Sequence, residues 1–503
     1  MDRRRQGPPH PLPRGGTPKP YRSKKNASLL EHLEELIQQC APGFASAPAL
    51  ARARRHILSQ LVCFGRHTIT GLLRNQDRTQ QDWTADYRFY SEDRFDEDAA
   101  FSQIRCQIEK ASPPRAPLVV AMDDSLLRKT GPRIYGSRFQ RDPLSPPFHV
   151  NFVRGLRVLQ ISAALRQGTQ GAARMIPVDF QHAALPAKPR RDASPELQAE
   201  YQVLRAKANI NLAGRQRLLH LRQQMDQTGS SSRQLVVTLD GRFTNGTVLK
   251  QLPERCTLIG RVRKDAACYF PPENQPERGR KRKYGLRCPT PEELLKDPAH
   301  PGQEVQAYAA GKRYTFKVKT LGPVYSKMNN GAGPLRLVVV EPVPYRRTRK
   351  SKLERREPAF LICTDPALAL ELLLQFFLWR WDIEVNFRDE KTLLGVGQAQ
   401  VRSQAANQNA PALAVAAYAL LLLGAVQTYG PKGKPETFKP PRWYKRKRHQ
   451  RATTNELINQ LRYELWATAL KNNFRPLSSS PPLNQNPLKS NLPLESAIFY
   501  SLP

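Results

Sequence analysis

Two short apolar runs in the middle of the chain each end on acidic residues. Residues 117–122 are followed by Asp123 and Asp124, and residues 235–239 are followed by Asp240. Unbroken apolar runs of this length are typical of buried strands in an α/β sheet, whose functional sites lie beyond the strand ends. The pattern therefore predicts a carboxylate site at one edge of a sheet. For each aspartate taken alone, a turn or a helix cap is the alternative.

The segments around these runs predict helices and further strands. Residues 27–113 have apolar residues at helical spacing, interrupted at Gly65, and predict a helical domain. The two short helices around this glycine fit a groove-reading pair or a plain helical bundle equally well. Residues 152–165 and 172–180 predict strands, and residues 195–227 predict one helix.

Residues 377–391 predict a helix that carries an acid between bases on one face. That face comprises Phe377, Arg380, Glu384, Arg388 and Lys391, and the adjoining apolar stripe comprises Phe376, Trp379, Ile383, Phe387 and Leu394. An acid flanked by cations suits metal coordination beside a bound polyanion, which phosphoryl transfer on nucleic acid requires. The alternative is ordinary ion pairing between neighbouring turns of a solvated helix.

The net charge of the chain favours a polyanionic partner. The sequence has 80 Lys and Arg against 43 Asp and Glu, which gives a net charge of +37 and a pI near 10.3. The basic runs are residues 3–25, 278–283, 346–356 and 432–451, and the last contains Trp443 and Tyr444. Basic runs with aromatic residues suit phosphate contact and base stacking, so the composition predicts DNA binding. For any single run, a solvated tail is the alternative.

Length and composition also bear on domain count and location. A chain of 503 residues is long enough for about three domains. Only residues 412–426 are long and uncharged, and we expect a buried helix there rather than a membrane span. Seven cysteines without a CxxC pair and nine histidines without an HExxH motif predict reduced thiols in a cytoplasmic protein and no structural zinc.

The charged helix and the strand-end acids resemble those of the DDE transposases of bacterial insertion sequences. The resemblance is to the group whose third acid lies in a Tyr-x2-Arg-x3-Glu-x6-Lys signature. Arg380, Glu384 and Lys391 match that spacing, and Phe377 stands where the group has Tyr. The resemblance covers about residues 114–427.

The resemblance implies an α/β fold, with a ribonuclease H-like mixed sheet flanked by helices and a β-rich insertion, in a catalytic domain at residues 114–427 with the insertion at about 271–365. Outside that range, composition and helical spacing predict a basic arm at residues 1–26, a helical DNA-binding domain at 27–113 and a basic C-terminal region at 428–503.

The resemblance also implies roles for the site residues. Asp124, Asp240 and Glu384 would bind two Mg²⁺ or Mn²⁺ ions, and Arg380, Arg388 and Lys391 would bind DNA. Carboxylate oxygens are ligands that these hard cations prefer. Asp123 competes with Asp124, and only the family's pattern of an acid followed by a hydroxyl residue, here Ser125, favours Asp124.

The implied function is cut-and-paste transposition. A homodimer would cleave double-stranded DNA at the terminal inverted repeats of the element and transfer the 3′-hydroxyls into target DNA. The implied location is the bacterial cytoplasm, in association with the nucleoid, and no membrane partner is implied. Two rivals remain, namely a ribonuclease H-like nuclease that cuts without joining and a domesticated, inactive transposase that only binds DNA.

Aromatic residues of the insertion are candidates for holding a base that is flipped out at the transposon end. The candidates are Tyr308, Tyr314, Phe316, Tyr325 and Tyr345. The alternative for each is a place in the hydrophobic core.

Overall fold

The computed structural model describes residues 27–142, 145–146, 148–166, 171–273, 275–276, 278–348, 351–436 and 451–473. The predicted basic arm at 1–26, most of the basic run at 432–451 with Trp443 and Tyr444, and the end of the chain after residue 473 lie outside the described residues.

A mixed sheet of ten strands forms the centre of the fold. In chain order the strands are β1 (Leu118–Arg128), β2 (Arg138–Arg141), β3 (Phe152–Arg166), β4 (Ala173–His182), β5 (Leu235–Leu239), β6 (Cys256–Arg261), β7 (Gln303–Ala309), β8 (Lys312–Val324), β9 (Leu335–Val340) and β12 (Ala359–Cys363). A separate pair consists of β10 (Pro344–Tyr345) and β11 (Glu354–Arg355).

The first six strands have the ribonuclease H-like arrangement that was predicted. β3 is antiparallel to β1, β2 and β4, whereas β1, β5 and β6 are mutually parallel. The sheet then continues through β12, β9, β8 and β7. The strands of the region between Asp240 and Glu384 therefore extend the central sheet, with only β10 and β11 outside it.

The helices lie on both sides of this sheet and at one end of it. They are α1 (Leu29–Gln39), α2 (Ala47–Val62), α3 (Ile69–Arg74), α4 (Thr84–Ser91), α5 (Glu97–Lys110), α6 (Pro195–Lys207), α7 (Ile210–Gln227), α8 (Gly246–Leu249), α9 (Pro291–Lys296), α10 (Leu370–Trp379), α11 (Asp382–Thr392), α12 (Gln404–Tyr429) and α13 (Thr454–Asn473).

The N-terminal helices pack as a bundle around α12. Side-chain caps begin several of them: Ser28 forms a capping box with Glu31, and Asp96 accepts from the amide of Ala99. Helices α1, α2, α4 and α5 all contact α12, and one hydrophobic core runs from this bundle into the sheet. The bundle thus shares its core with the central sheet.

Helix α12 contains the apolar stretch that was expected to be a buried helix. The helix is long and apolar enough to cross a membrane by length and composition alone, but its most apolar window is 89% buried inside the protein. It also packs against β4. Its hydrophobicity is therefore accounted for by the core of the protein.

Two helix predictions were wrong in detail. Residues 195–227 form two helices, because the Asn209 side chain caps a new helix start by accepting from the amide of Asn211. The charged helix is also two helices, since the amides of Ile383 and Glu384 bond to carbonyls three residues back and break the regular pattern. Its predicted apolar stripe is nevertheless buried.

Candidate active site

Strand β1 carries two of the predicted acids, Asp123 and Asp124. The sequence pattern predicted that the strand ends at them, but it continues to Arg128. Its parallel pairing with β5 ends where Met122 lies beside Leu239, but its antiparallel pairing with β3 continues to Arg128. Asp123 and Asp240 thus follow immediately after the last paired residues of neighbouring parallel strands. This register brings the two carboxylates side by side.

Alternation along β1 separates Asp123 from Asp124. Side chains point to opposite faces at successive strand positions. Ser125, two residues beyond Asp123, bonds to Lys391 of α11, and Gln160, the cross-strand neighbour of Asp123, bonds to Glu390 of the same helix. Asp123 therefore lies on the face that α11 covers, and Asp124 points to the opposite face.

The Asp123 carboxylate lacks a close cationic partner. One oxygen accepts from the amide of Asp124 at 2.8 Å, and the other lies 3.8 Å from Nη1 of Arg380. Burial, and then the negative charge of Asp240, raise the pKa of Asp123 to about 7. The charged form of this group is thus disfavoured until a further cation approaches.

The Asp124 carboxylate, in contrast, is neutralised by two arginines. Its oxygens lie 2.8 Å from Nε of Arg157 and 3.3 Å from Nε of Arg242. Sequence reasoning missed both arginines. The position of Arg242, two residues after Asp240, was an available signal, whereas nothing in the spacing indicates Arg157, which β3 brings in from another part of the chain.

Asp240 also forms the turn that was the alternative interpretation for it. Its Oδ1 accepts from the amides of Arg242 at 3.0 Å and Phe243 at 3.2 Å. These bonds fix the carboxylate at the end of β5, next to Asp123. The turn and a place in the acidic cluster are therefore compatible.

The charged segment contributes three residues to this region. Glu384 is 40% exposed, and its carboxylate lies 3.6 Å from Nη2 of Arg380. Lys391 donates to the hydroxyl of Ser125 at 2.6 Å. Arg380 is largely buried between Asp123 and Glu384, and its Nε and Nη1 have no hydrogen-bond acceptor.

Arg388 does not join this group, although the single-helix prediction placed it on the same face. Its side chain is 64% exposed and pairs with its neighbour Asp389 at 2.8 Å. Although Glu384, Arg388 and Lys391 all lie on α11, only Glu384 and Lys391 line the cleft, and Arg388 turns to its neighbour Asp389 instead.

An open cleft of about 1650 Å³ contains the acids. Its acidic lining residues are Asp123, Asp124, Asp142, Asp240 and Glu384, and its basic ones are Arg66, Arg128, Lys129, Arg133, Arg141, Arg157, Arg242, Lys391 and Arg402. Arg66 comes from the loop after α2, beside the predicted break at Gly65. A cleft with bases around a few acids suits a polyanion whose phosphate is brought to the acids.

The acids at the cleft fit divalent metal ions by donor chemistry and charge. Carboxylate oxygens suit Mg²⁺ or Mn²⁺, and a cation would relieve the repulsion between Asp123 and Asp240. The Arg380 guanidinium already places a positive charge between Asp123 and Glu384. Within the described part of the chain, no three His, Cys, Asp or Glu side chains form a ready-made metal group, so the fit rests on chemistry and charge.

Acids at two neighbouring strand ends and on a flanking helix of a ribonuclease H-like sheet suit metal-dependent cleavage of a phosphodiester. The sequence model of the DDE superfamily endonucleases matches residues 40–321, more than half of the chain, and the protein belongs to this family. The match includes Asp123, Asp124 and Asp240 and stops before Glu384. No curated protein matches the chain significantly.

Proposed function

We propose that this protein is a DNA transposase that cuts at the ends of a mobile element and joins the 3′-hydroxyls to target DNA. The observation that carries the proposal is the cleft in which acids from β1, the end of β5 and α11 lie together among arginines and lysines. Membership of the DDE superfamily endonucleases supports DNA as the substrate.

The geometry favours Asp123, Asp240 and Glu384 as the ligands of one or two divalent ions. Asp123 and Asp240 are neighbours on the face that α11 covers, whereas Asp124 is held by Arg157 and Arg242. Asp124 remains the candidate that the family resemblance indicates. When bound, such ions activate an attacking oxygen and stabilise the leaving oxygen on the opposite side of the phosphorus.

The other residues of the cleft would bind and orient DNA. Arg157 and Arg242 can form bidentate hydrogen bonds with phosphate. Their pairing with Asp124 holds both guanidiniums at the edge of the site. Lys391 places an ammonium beside Ser125 on the α11 side of β1. A phosphodiester between these groups would lie close to the acids.

Cleavage and joining at two element ends would require two copies of the chain. A homodimer that holds both ends is therefore part of the proposal. A nuclease that cuts without joining, or a protein that only binds DNA, would share the basic cleft but not the full set of reactions.

The decisive experiment uses DNA that carries the gene together with its flanking sequence. The protein is incubated with this DNA and Mg²⁺, cuts are mapped to the nucleotide, and joining to a second labelled duplex is followed. We expect paired cuts at inverted repeats and 3′-end joining. Cuts without joined products would support the nuclease, and binding without cuts would support the inactive DNA-binding protein.

Glu384→Gln is the matched control for that experiment. It keeps the size of the side chain and removes the charge that a divalent ion requires, so cleavage should fall by orders of magnitude while DNA binding survives. A Glu384→Gln protein that still cuts at the wild-type rate would contradict the proposed site.

A further inference from the structure

Two phenylalanines and two arginines form an exposed face on the ribbon made by β2 and the start of β3. Phe139 pairs across the strands with Arg154, and Arg141 pairs with Phe152. Because cross-strand neighbours and alternate residues share a face, all four side chains lie on one side of the ribbon. On this face each aromatic ring has a guanidinium as its cross-strand neighbour.

The rings on this face are unusually open to solvent. Phe139 and Phe152 are each 65% exposed, and Phe148, in the connection between the strands, is 90% exposed. The guanidinium of Arg154 lies over the Phe139 ring, 4.8 Å from its centre. Large apolar side chains in this number on one exposed surface indicate a binding site rather than a core.

The charge of this surface identifies the partner as an anion. Arg141 and Arg154 lie on the same face as the rings, and β2 and residues 152–157 contain no acid. Asp142, at the end of β2, is paired with Arg128 at 2.9 Å. Ring faces beside arginines suit unpaired nucleic-acid bases, because bases stack on rings while phosphates pair with guanidiniums.

The ribbon is continuous with the candidate active site. Gln140 and Arg141 line the same cleft as the acids. Along β3, Phe152 and Arg154 alternate to the same face as Gln160, the cross-strand neighbour of Asp123. Arg154, the cross-strand neighbour of Phe139, and Gln160, the neighbour of Asp123, are separated by roughly 20 Å of strand, about the length of six stacked base pairs.

The aromatic residues of the insertion between Asp240 and Glu384 are less suited to stacking on unpaired bases. Phe316 is buried, and Tyr308, Tyr314, Tyr325 and Tyr345 are half-buried. The rings most open to solvent near the cleft are instead on the β2–β3 ribbon.

From these observations we infer that the β2–β3 ribbon binds unpaired bases of the DNA whose phosphate lies in the cleft, by stacking on Phe139 and Phe152. The inference rests on the proposed function for the choice of DNA. It adds the position and the chemistry of a binding site: one DNA strand would be separated from its complement on the order of six nucleotides from the acids. Arg141 and Arg154 would hold its phosphates.

The test compares two DNA probes of mixed sequence, a fully paired duplex and the same duplex with short unpaired tails that contain 2-aminopurine. Stacking tolerates any base, so the natural end sequence is not required. Metal is omitted so that no DNA is cut. We expect the wild-type protein to bind the forked probe more tightly than the paired one and to quench its 2-aminopurine fluorescence.

Four variants separate stacking from other roles. Phe139→Leu and Phe152→Leu keep apolar bulk but lose the ring, and each should reduce the preference for the forked probe by roughly tenfold. Phe139→Tyr keeps the ring and should retain the preference. Trp83→Leu, at an aromatic residue of the N-terminal bundle that is 54% exposed, should leave the preference unchanged.

Two outcomes overturn the inference. One is a wild-type preference and quenching that persist in Phe139→Leu and Phe152→Leu. The other is that Phe139→Leu and Phe152→Leu lose self-association, measured by light scattering, but keep the preference for the forked probe. That result would assign the face to contact with a second copy of the chain. Because cutting is measured separately with Mg²⁺, a protein that stacks unpaired bases but never cuts would refute the proposed function and leave this inference standing.

Discussion

The ammonium of Lys391 donates a 2.6 Å hydrogen bond to the hydroxyl of Ser125, and this bond joins α11 to β1. Burial lowers the pKa of Lys391, and the neighbouring Glu390 opposes that effect. The lysine of the signature thus contacts the hydroxyl that follows the acid pair. A cation in this position is available to a phosphate that enters the cleft.

Lys391→Met should weaken binding to DNA ends by about 1–3 kcal/mol, the scale of a charge-assisted hydrogen bond to phosphate. Ser125→Ala removes the same hydrogen bond but leaves the ammonium, so it should change binding much less. Fluorescence anisotropy on a fixed duplex measures both. Equal effects of the two substitutions would show that Lys391 acts by holding α11 against β1.

The choice between Asp123 and Asp124 is open to a direct test. We expect Asp123→Asn to reduce cleavage by orders of magnitude, because it removes a carboxylate that neighbours Asp240. Asp124→Asn should lower stability, because it leaves Arg157 and Arg242 without their partner, and should reduce cleavage much less. Cleavage rates, end binding and melting temperatures of both variants decide the matter. The reverse pattern would restore Asp124 as the ligand.

Arg380 and Arg388 should differ, although the sequence pattern gave them one role. Arg380→Ala removes the buried cation between Asp123 and Glu384 and should reduce both stability and cleavage. Arg388→Ala removes an exposed pair with Asp389 and should change stability by under about 1 kcal/mol. Thermal melting and cleavage assays compare them, and equal losses would contradict the placement of Arg388 outside the cleft.

Glu390 should make the stability of the protein depend on pH. Burial raises the pKa of Glu390 to about 8, opposed by a hydrogen bond from Gln160 at 3.0 Å and by the charge of Lys391, while Asp389 adds to the increase. A raised folded-state pKa means that the stabilisation is full below the unfolded value, near pH 4.5, and is lost as pH rises through about 8.

Glu390→Gln should remove that dependence. The slope of the free energy of unfolding against pH between these values should become less negative by up to about 1.4 kcal/mol per pH unit. Denaturant titrations at several pH values measure the slope. The buried Oε1 of Gln160 lacks a hydrogen-bond donor and would accept from the new amide. An unchanged slope would show that Glu390 does not titrate in this range.

Local patterns in the sequence were sufficient to predict the strands and the acids. Unbroken apolar runs predicted β1 and β5, because a strand that is buried on both faces has apolar residues at successive positions and not at alternate ones only. The family resemblance implied the strands between Asp240 and Glu384, and the uncharged run at residues 412–426 predicted the buried helix α12. The two strand ends predicted Asp240 and the Asp123–Asp124 pair as neighbours, and the charged helix and the family resemblance added Glu384 to the predicted site.

Only the tertiary structure decided which acids face one another. The paired parts of β1 and β5 are buried on both faces, so a one-residue slip would move no polar side chain into the core and their pattern leaves the register open. The contact between Asp123 and Asp240 and the two arginines on Asp124 became visible only when β3 and β5 were placed beside β1. The break before α11 was also not visible in the sequence. It consists of a few backbone hydrogen bonds to the carbonyl three residues back, which no residue between Arg380 and Glu384 requires. The exposed rings of Phe139 and Phe152 likewise look like core residues in sequence, because exposure is a property of what packs against a strand and not of the strand itself.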